Sequence, residues 1–174
     1  MLLRRISVFI LGMIFYGCSH GLEPPAAPLT QTGFGGTVHF ISSWPPADSV
    51  YDIRVVAFYN YPPQNIINEV LSGQAEIYPP IGAPAPTLFA DSLTYSFVLK
   101  SSSTFRYVVV AMQYGANVSA DWKVVGAYGY SNGVGNPDSV VVPENTFVNG
   151  INIDVDFENT PPTPGSNSIA AVSK

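Results

Sequence analysis

The sequence predicts an all-β fold, a single Greek-key β-sandwich of about seven strands with a short helix and a Pro-rich loop inserted. Several segments alternate apolar and polar residues, as strands with one buried face do, and turn-forming residues separate them. Charged residues make up only 11% of the chain against 47% hydrophobic residues, so helix-building residues are scarce. A chain of 174 residues has room for one such domain and a leader.

The predicted strands, in chain order, are residues 36–43, 51–60, 93–99, 104–114, 122–130, 139–142 and 151–158. The last is the clearest, because its odd positions are all apolar and its even positions all polar, which identifies its buried face. Residues 51–60 and 104–114 are apolar on both faces, which predicts two central strands that pair with each other. Asn132-Gly133, Asn149-Gly150 and Pro143-Glu144-Asn145 supply turns between strands.

One segment departs from the strand pattern. Ile66, Ile67, Val70 and Leu71 are spaced as in a helix, with Pro63 before them and a glycine after them, so a short helix is predicted at residues 65–71. Pro79, Pro80, Pro84 and Pro86 then exclude a central strand and predict an irregular loop.

The start of the chain has the pattern of a signal peptide. Arg4 and Arg5 precede a largely apolar run at residues 6–16, which is about half as long as a membrane-spanning helix. The run leads to Gly17 and Cys18, and the segment 15–18 resembles the lipobox of bacterial lipoproteins. An ordinary secretory leader with a coincidental cysteine is the alternative.

The lipobox resemblance implies cleavage after Gly17 and a lipid on Cys18, through which the protein is anchored to a membrane of the cell envelope. Ser19 after the cysteine implies, by the same analogy, the outer membrane. The predicted organisation is a signal peptide at 1–17, a lipidated cysteine and Pro-rich tether at 18–33, the sandwich at 34–158 and a disordered tail at 159–174.

The charge balance disfavours nucleic acid as a partner. Without the two leader arginines, five basic residues remain against twelve acidic ones, so the net charge falls from −5 to −7. The remaining basic residues are also scattered along the chain, whereas a phosphate backbone is bound by clustered Lys and Arg.

Two segments, Leu93-Thr94-Tyr95-Ser96-Phe97-Val98-Leu99 and Thr104-Phe105-Arg106-Tyr107-Val108-Val109-Val110-Ala111, resemble the final strands of carboxypeptidase regulatory-like domains, a transthyretin-like sandwich family. Gly36-Thr37-Val38 is similar to that family's opening strand, and Ser101-Ser102-Ser103 replaces the usual turn glycine. The resemblance implies an accessory module that binds or scaffolds and transfers no functional residues.

The sequence offers little for catalysis, metal binding or a cofactor, and no enzyme is predicted. Histidine is the most common general acid or base, and the chain has two. His20 lies in the tether, which leaves His39, in a strand, as the one histidine of the predicted domain. Asp154 and Asp156 share a strand face with Glu158. We interpret these carboxylates as the solvated side of the strand, because calcium prefers ligands spaced along a loop.

Aromatic residues at strand ends and in loops are the predicted binding residues, because aromatic faces anchor protein partners or stack on sugars. These are Trp44, Tyr61, Trp122, Tyr128 and Tyr130. The predicted function is a non-catalytic module that binds or scaffolds a protein partner; the alternative is a carbohydrate-binding module. Packing at the ends of the sandwich explains the same residues without a ligand.

Overall fold

The computed structural model describes residues 31–64, 66–131, 134–162 and 164. The predicted signal peptide, Cys18, His20, nearly all of the tether and the end of the tail lie outside the described residues. The strands are β1 (Gly33–Phe40), β2 (Asp52–Phe58), β3 (Ala75–Tyr78), β4 (Ser92–Val98), β5 (Ser103–Phe105), β6 (Tyr107–Gln113), β7 (Trp122–Ala127), β8 (Tyr130–Ser131), β9 (Val134–Gly135), β10 (Val140–Val142), β11 (Phe147–Val148) and β12 (Ile153–Val155).

These strands form an all-β sandwich, as predicted. In the smaller sheet, β1 lies at the centre, pairs antiparallel with β4 on one side and pairs in parallel with β11 and β12 on the other. The larger sheet has the order β3-β2-β6-β7-β8-β9. A short pair of β5 with β10 completes the strands.

The two predicted central strands pair with each other. β2 and β6 are antiparallel from Asp52↔Gln113 to Phe58↔Tyr107 and lie in the middle of the larger sheet. The segment 104–114 is nevertheless two strands, because its bonding to β2 begins at Arg106, whose N–H donates to Phe58 O. Residues before it pair with β10 instead.

The core between the sheets contains the side chains that the alternation predicted to be inward. In the last segment Ile151, Ile153 and Val155 are buried, whereas Asn152 is exposed. Phe34 is fully buried and its ring lies 4.8 Å from Phe97 and 5.1 Å from Phe105, between ring centroids. These strands therefore contribute one continuous apolar layer.

The predicted helix is present as α1 (Ile66–Leu71), followed by Gly73 at φ +73, and a 3-10 turn spans Ala47–Ser49. Residues 79–90 are irregular, as the prolines indicated. The strands β3, β9 and β11 were not predicted, because their four, two and two residues are too few to show an alternation. Within the described part of the chain, no helical segment combines the length and the hydropathy that a membrane span requires.

Candidate functional site

The outer face of the larger sheet is apolar, although sandwich sheets commonly turn a polar face to solvent. Its buried residues are Val56, Phe58, Ala75, Tyr107, Val109, Ala111, Val124 and Ala127. Helix α1 lies over part of this face and packs Ile66 and Val70 against it. Because α1 has only six residues, it covers the face incompletely.

The uncovered part forms a groove of about 290 Å³. Its base is the outer face of β2 and β6, where Val56 and Ala111 lie. Three separate segments surround it: helix α1, the loop after β3 and the loop before β7. Most of its lining is aliphatic, so its surface favours apolar contacts.

The charged side chains that line the groove are Asp52 and Arg54, which lie two residues apart on one strand face and neutralise each other. The Arg54 Nε donates to Asp52 Oδ2 at 2.8 Å, and both side chains are largely buried. Arg54 Nη1 donates to Pro79 O at 3.0 Å, which ties the loop after β3 to β2. The groove therefore presents no net charge to a ligand.

Trp122, the first residue of β7, also lines the groove. Its indole N–H donates to Val118 O at 2.7 Å, which holds the loop before β7 against the ring. Asn117 N donates to Asp121 Oδ2 at 2.9 Å and Ser119 N to Asn117 Oδ1 at 3.0 Å, so the loop is internally bonded. The indole N–H is already used, and the ring contributes an apolar surface.

Three large aliphatic side chains at the groove are exposed. Leu71 of the helix is 69% exposed, Ile81 of the loop after β3 is 66% exposed, and Val118 is 63% exposed. Exposed apolar residues scattered singly are ordinary, but exposed apolar residues gathered around one concavity are typical of interaction sites. The groove is therefore the best candidate for a functional site among the described residues.

The predicted aromatic binding residues are divided between two layers. Trp44 and Tyr128 pack against the core between the sheets. The Trp44 ring contacts Phe40, Phe89 and Phe157, and its indole N–H donates to Ala90 O at 3.0 Å. These contacts give Trp44 a packing role.

The other three, Tyr61, Trp122 and Tyr130, lie on the outer side of the larger sheet, and of the five only Trp122 lines the groove. Tyr61 is 50% exposed, and its ring centroid lies 5.0 Å from that of Tyr107. Burial, with Tyr61 nearby, raises the pKa of Tyr107 above its usual range. The structure does not bring the five aromatic residues together on one surface.

His39 lies in a row of polar residues on the outer face of the smaller sheet. Ser92 is its partner on β4 and Asp154 is its partner on β12. Within the described part of the chain, however, His39 makes no side-chain hydrogen bond to either, and Asp154 Oδ2 accepts a bond of 3.3 Å from Ser131 Oγ. Covalent catalysis needs a nucleophile and a base in hydrogen-bond contact with each other. The residues of this row do not make such a contact.

Asp156, which follows β12, has its side chain engaged by neighbouring residues. Asp156 accepts hydrogen bonds from Asn159 Nδ2 at 2.8 Å and from Glu158 N at 2.9 Å, and these bonds lower the pKa of Asp156. No group of three or more His, Cys, Asp or Glu residues suited to a metal ion occurs in the part of the chain that the structure describes.

The sequence interpretation did not identify the groove, although one signal for it is present. Ile66 and Val70 pack against the sheet, and Ile67 and Leu71 form a second apolar pair on the same short helix. A helix that packs on one side only has no structural need for that pair. Comparison with known proteins finds no matching family model, no similar curated protein and no similar solved structure.

Proposed function

We propose that this protein is a lipoprotein of the cell envelope, anchored through a lipid on Cys18, whose sandwich is a non-catalytic module that binds another protein at the groove. The single observation that supports protein binding is the neutral, apolar groove with Leu71, Ile81 and Val118 exposed around it. The resemblance of residues 15–18 to a lipobox supports the anchor.

The size and chemistry of the groove favour a protein side chain as the bound group. At about 290 Å³ it lies just below the range of small-molecule pockets, which is roughly 300 to 1,000 Å³. A groove of this size has room for one or two large apolar side chains, and protein interfaces depend on a few such anchors in dry pockets. The Asp52–Arg54 pair cancels its own charge, which removes the attraction that a charged ligand would need.

A photo-crosslinking amino acid at position 118 tests this proposal in the cells that make the protein. Val118 lines the groove and is 63% exposed, whereas Val141, on β10 and away from the groove, is 62% exposed and serves as the matched control. We expect one defined crosslinked protein from position 118 and none from position 141.

A second variant connects the crosslink to the groove. Leu71→Asp places a charge on an exposed rim residue, so the domain should fold normally while binding of an apolar side chain is weakened. We expect the position-118 crosslink to weaken at least about tenfold, which corresponds to about 1.4 kcal/mol. Equal crosslinking from positions 118 and 141, or no effect of Leu71→Asp, contradicts binding at the groove.

The anchor is tested separately with a palmitate analogue. Wild type should be labelled and Cys18→Ser should not, because Cys18 is the one cysteine in the chain. Equal labelling of both refutes the anchor and leaves the binding proposal standing. Carbohydrate binding, the alternative predicted from the aromatic residues, requires glycan binding that is lost in Trp122→Ala.

A further inference from the structure

Strand β4 forms one edge of the smaller sheet. Its pairing with β1 determines which of its backbone N–H and C=O groups are left free to bond to another strand. Leu99 N donates to Thr32 O, and Phe40 N donates to Asp91 O. Because bonded and non-bonded residues alternate along an antiparallel pair, Leu93, Tyr95 and Phe97 also bond to β1. The backbone N–H and C=O groups of the intervening residues, which are Ser92, Thr94, Ser96 and Val98, point away from β1.

These four residues have no strand on their other side. In the described residues, no hydrogen bond reaches their outward backbone groups. Their side chains are exposed, Val98 by 60%. Such a row of unpaired donors and acceptors is a template for another strand.

The edges at β3, β9 and β12 are protected by means that β4 lacks. β3 has four residues and is followed by Pro79 and Pro80, and β9 has two residues. β12 has three residues and lies beside β7, where Val155 contacts Gly126 closely. β4 has seven residues and contains no proline and no charged residue.

We infer that two copies of this protein associate by antiparallel pairing of their β4 edges, which joins the two smaller sheets into one continuous sheet. A twofold axis at Tyr95 aligns the outward backbone groups, so that Ser92 faces Val98 and Thr94 faces Ser96 of the second copy. About eight backbone hydrogen bonds then form across the interface. On the exposed face of the sheet, the side chains that meet are those of these four residues, and none of them is charged.

The charges at the two ends of β4 select the antiparallel arrangement. Asp91 precedes the strand, Lys100 follows it, and both are exposed. Antiparallel pairing brings the acidic end of one β4 to the basic end of the other, whereas parallel pairing brings like charges together. Exposed pairs contribute roughly 0 to 1 kcal/mol, so they influence orientation more than affinity.

A second copy is a better occupant of this edge than a flexible peptide. Fixing the backbone of an unstructured peptide costs about 1 to 2 kcal/mol per residue, which opposes the gain from each new hydrogen bond. The β4 edge of a second copy is already held in the strand conformation by β1 and by the buried Tyr95 and Phe97. Association of two such edges avoids most of that cost.

Charge variants at the facing positions 94 and 96 test this inference in the full-length protein purified in detergent, with mass measured by sedimentation equilibrium. Thr94→Lys with Ser96→Lys places lysines opposite lysines, and we expect the dimer dissociation constant to rise about tenfold or more at low salt. Thr94→Glu with Ser96→Lys has the same number of new charges but places Glu opposite Lys, and we expect the wild-type dimer to be retained.

Several results overturn the inference. A wild-type protein that is monomeric at about 0.1 mM excludes stable self-association through this edge, and binding of an added strand-forming peptide by that monomer assigns the edge to a foreign partner instead. A dimer that persists unchanged in the Lys/Lys variant lies elsewhere on the surface. Equal loss of the dimer in both variants excludes the antiparallel register. Unchanged circular dichroism and melting temperature in both variants ensure that folding is not the cause.

Discussion

The larger sheet has an apolar layer on each of its faces, and the two layers differ in how they are covered. Along β6, Val108 and Val110 point into the core between the sheets, while Tyr107 and Val109 point to the outer face. The inner layer is covered by a whole second sheet, whereas the outer layer is covered by a six-residue helix and two loops. We conclude that the inner layer supplies most of the stability, and that the outer layer can provide a groove because its cover is incomplete.

The largest expected effect is on the free energy of unfolding when one phenylalanine from each layer is replaced by alanine. Phe34 and Phe58 are both fully buried. The Phe34 ring packs with the rings of Tyr95, Phe97 and Phe105, whereas the Phe58 ring packs with Tyr107. We expect Phe34→Ala to lower the free energy of unfolding by about 4 to 5 kcal/mol and Phe58→Ala by about 3 kcal/mol.

Urea unfolding followed by tryptophan fluorescence measures both values. The slope of free energy against urea should be the same in the two variants, since a change in slope indicates an altered unfolded or native ensemble. A larger loss for Phe58→Ala than for Phe34→Ala is incompatible with an inner layer that dominates stability.

A smaller difference is expected between neighbouring residues of helix α1. Val70 packs against the outer face of the sheet, while Leu71 is 69% exposed at the groove. Val70→Ala should cost about 1 kcal/mol of stability, because part of a buried side chain is lost, and Leu71→Ala should change stability by less than about 0.5 kcal/mol.

Thermal melting distinguishes these two variants, and the position-118 crosslink provides the functional readout. Leu71→Ala should weaken the crosslink without changing the melting temperature, which separates binding from folding. If Leu71→Ala destabilises the domain as much as Val70→Ala does, then Leu71 is part of the packing and the helix has no side available for a partner.

The inner layer was largely predictable from the sequence, because period-two alternation directly specifies which side chains face inward. Residues 151, 153 and 155 alternate with polar neighbours and are buried. The continuous apolar runs in 51–60 and 104–114 indicated central strands, and β2 and β6 pair as expected. In both cases the signal lies within a single segment.

The groove was not predictable, because it depends on the relative positions of three segments. Leu71, Ile81 and Val118 lie on three different segments and meet only after β2, β3, β6 and β7 have assembled. Aromatic content was a weak guide for a similar reason. Trp44 and Trp122 were both predicted as binding residues because each lies at a strand end or in a loop. In the structure, however, Trp44 packs on the inner core and Trp122 lines the groove.

The smallest expected effect concerns Tyr59, at the boundary of the inner layer, where its ring stacks on Phe105. Burial, followed by the charge of Glu76 and the 3.1 Å hydrogen bond that Tyr59 donates to it, raises the pKa of Tyr59 from 10.0 to about 12. The folded state therefore keeps this phenol protonated over a range in which the unfolded chain ionises it.

The sign of the pH dependence follows from this difference. Below about pH 10 both states hold the proton, so the contribution of Tyr59 to stability is fully present, and it is lost as the pH rises through the folded-state pKa of about 12. Urea unfolding between pH 9 and pH 12 should show a shallower decline for Tyr59→Phe than for wild type. Glu76→Gln should move the pKa of Tyr59 only part of the way back, because burial is the larger cause. A full return in Glu76→Gln makes the carboxylate the main cause and places Tyr59 in contact with solvent, outside the inner layer.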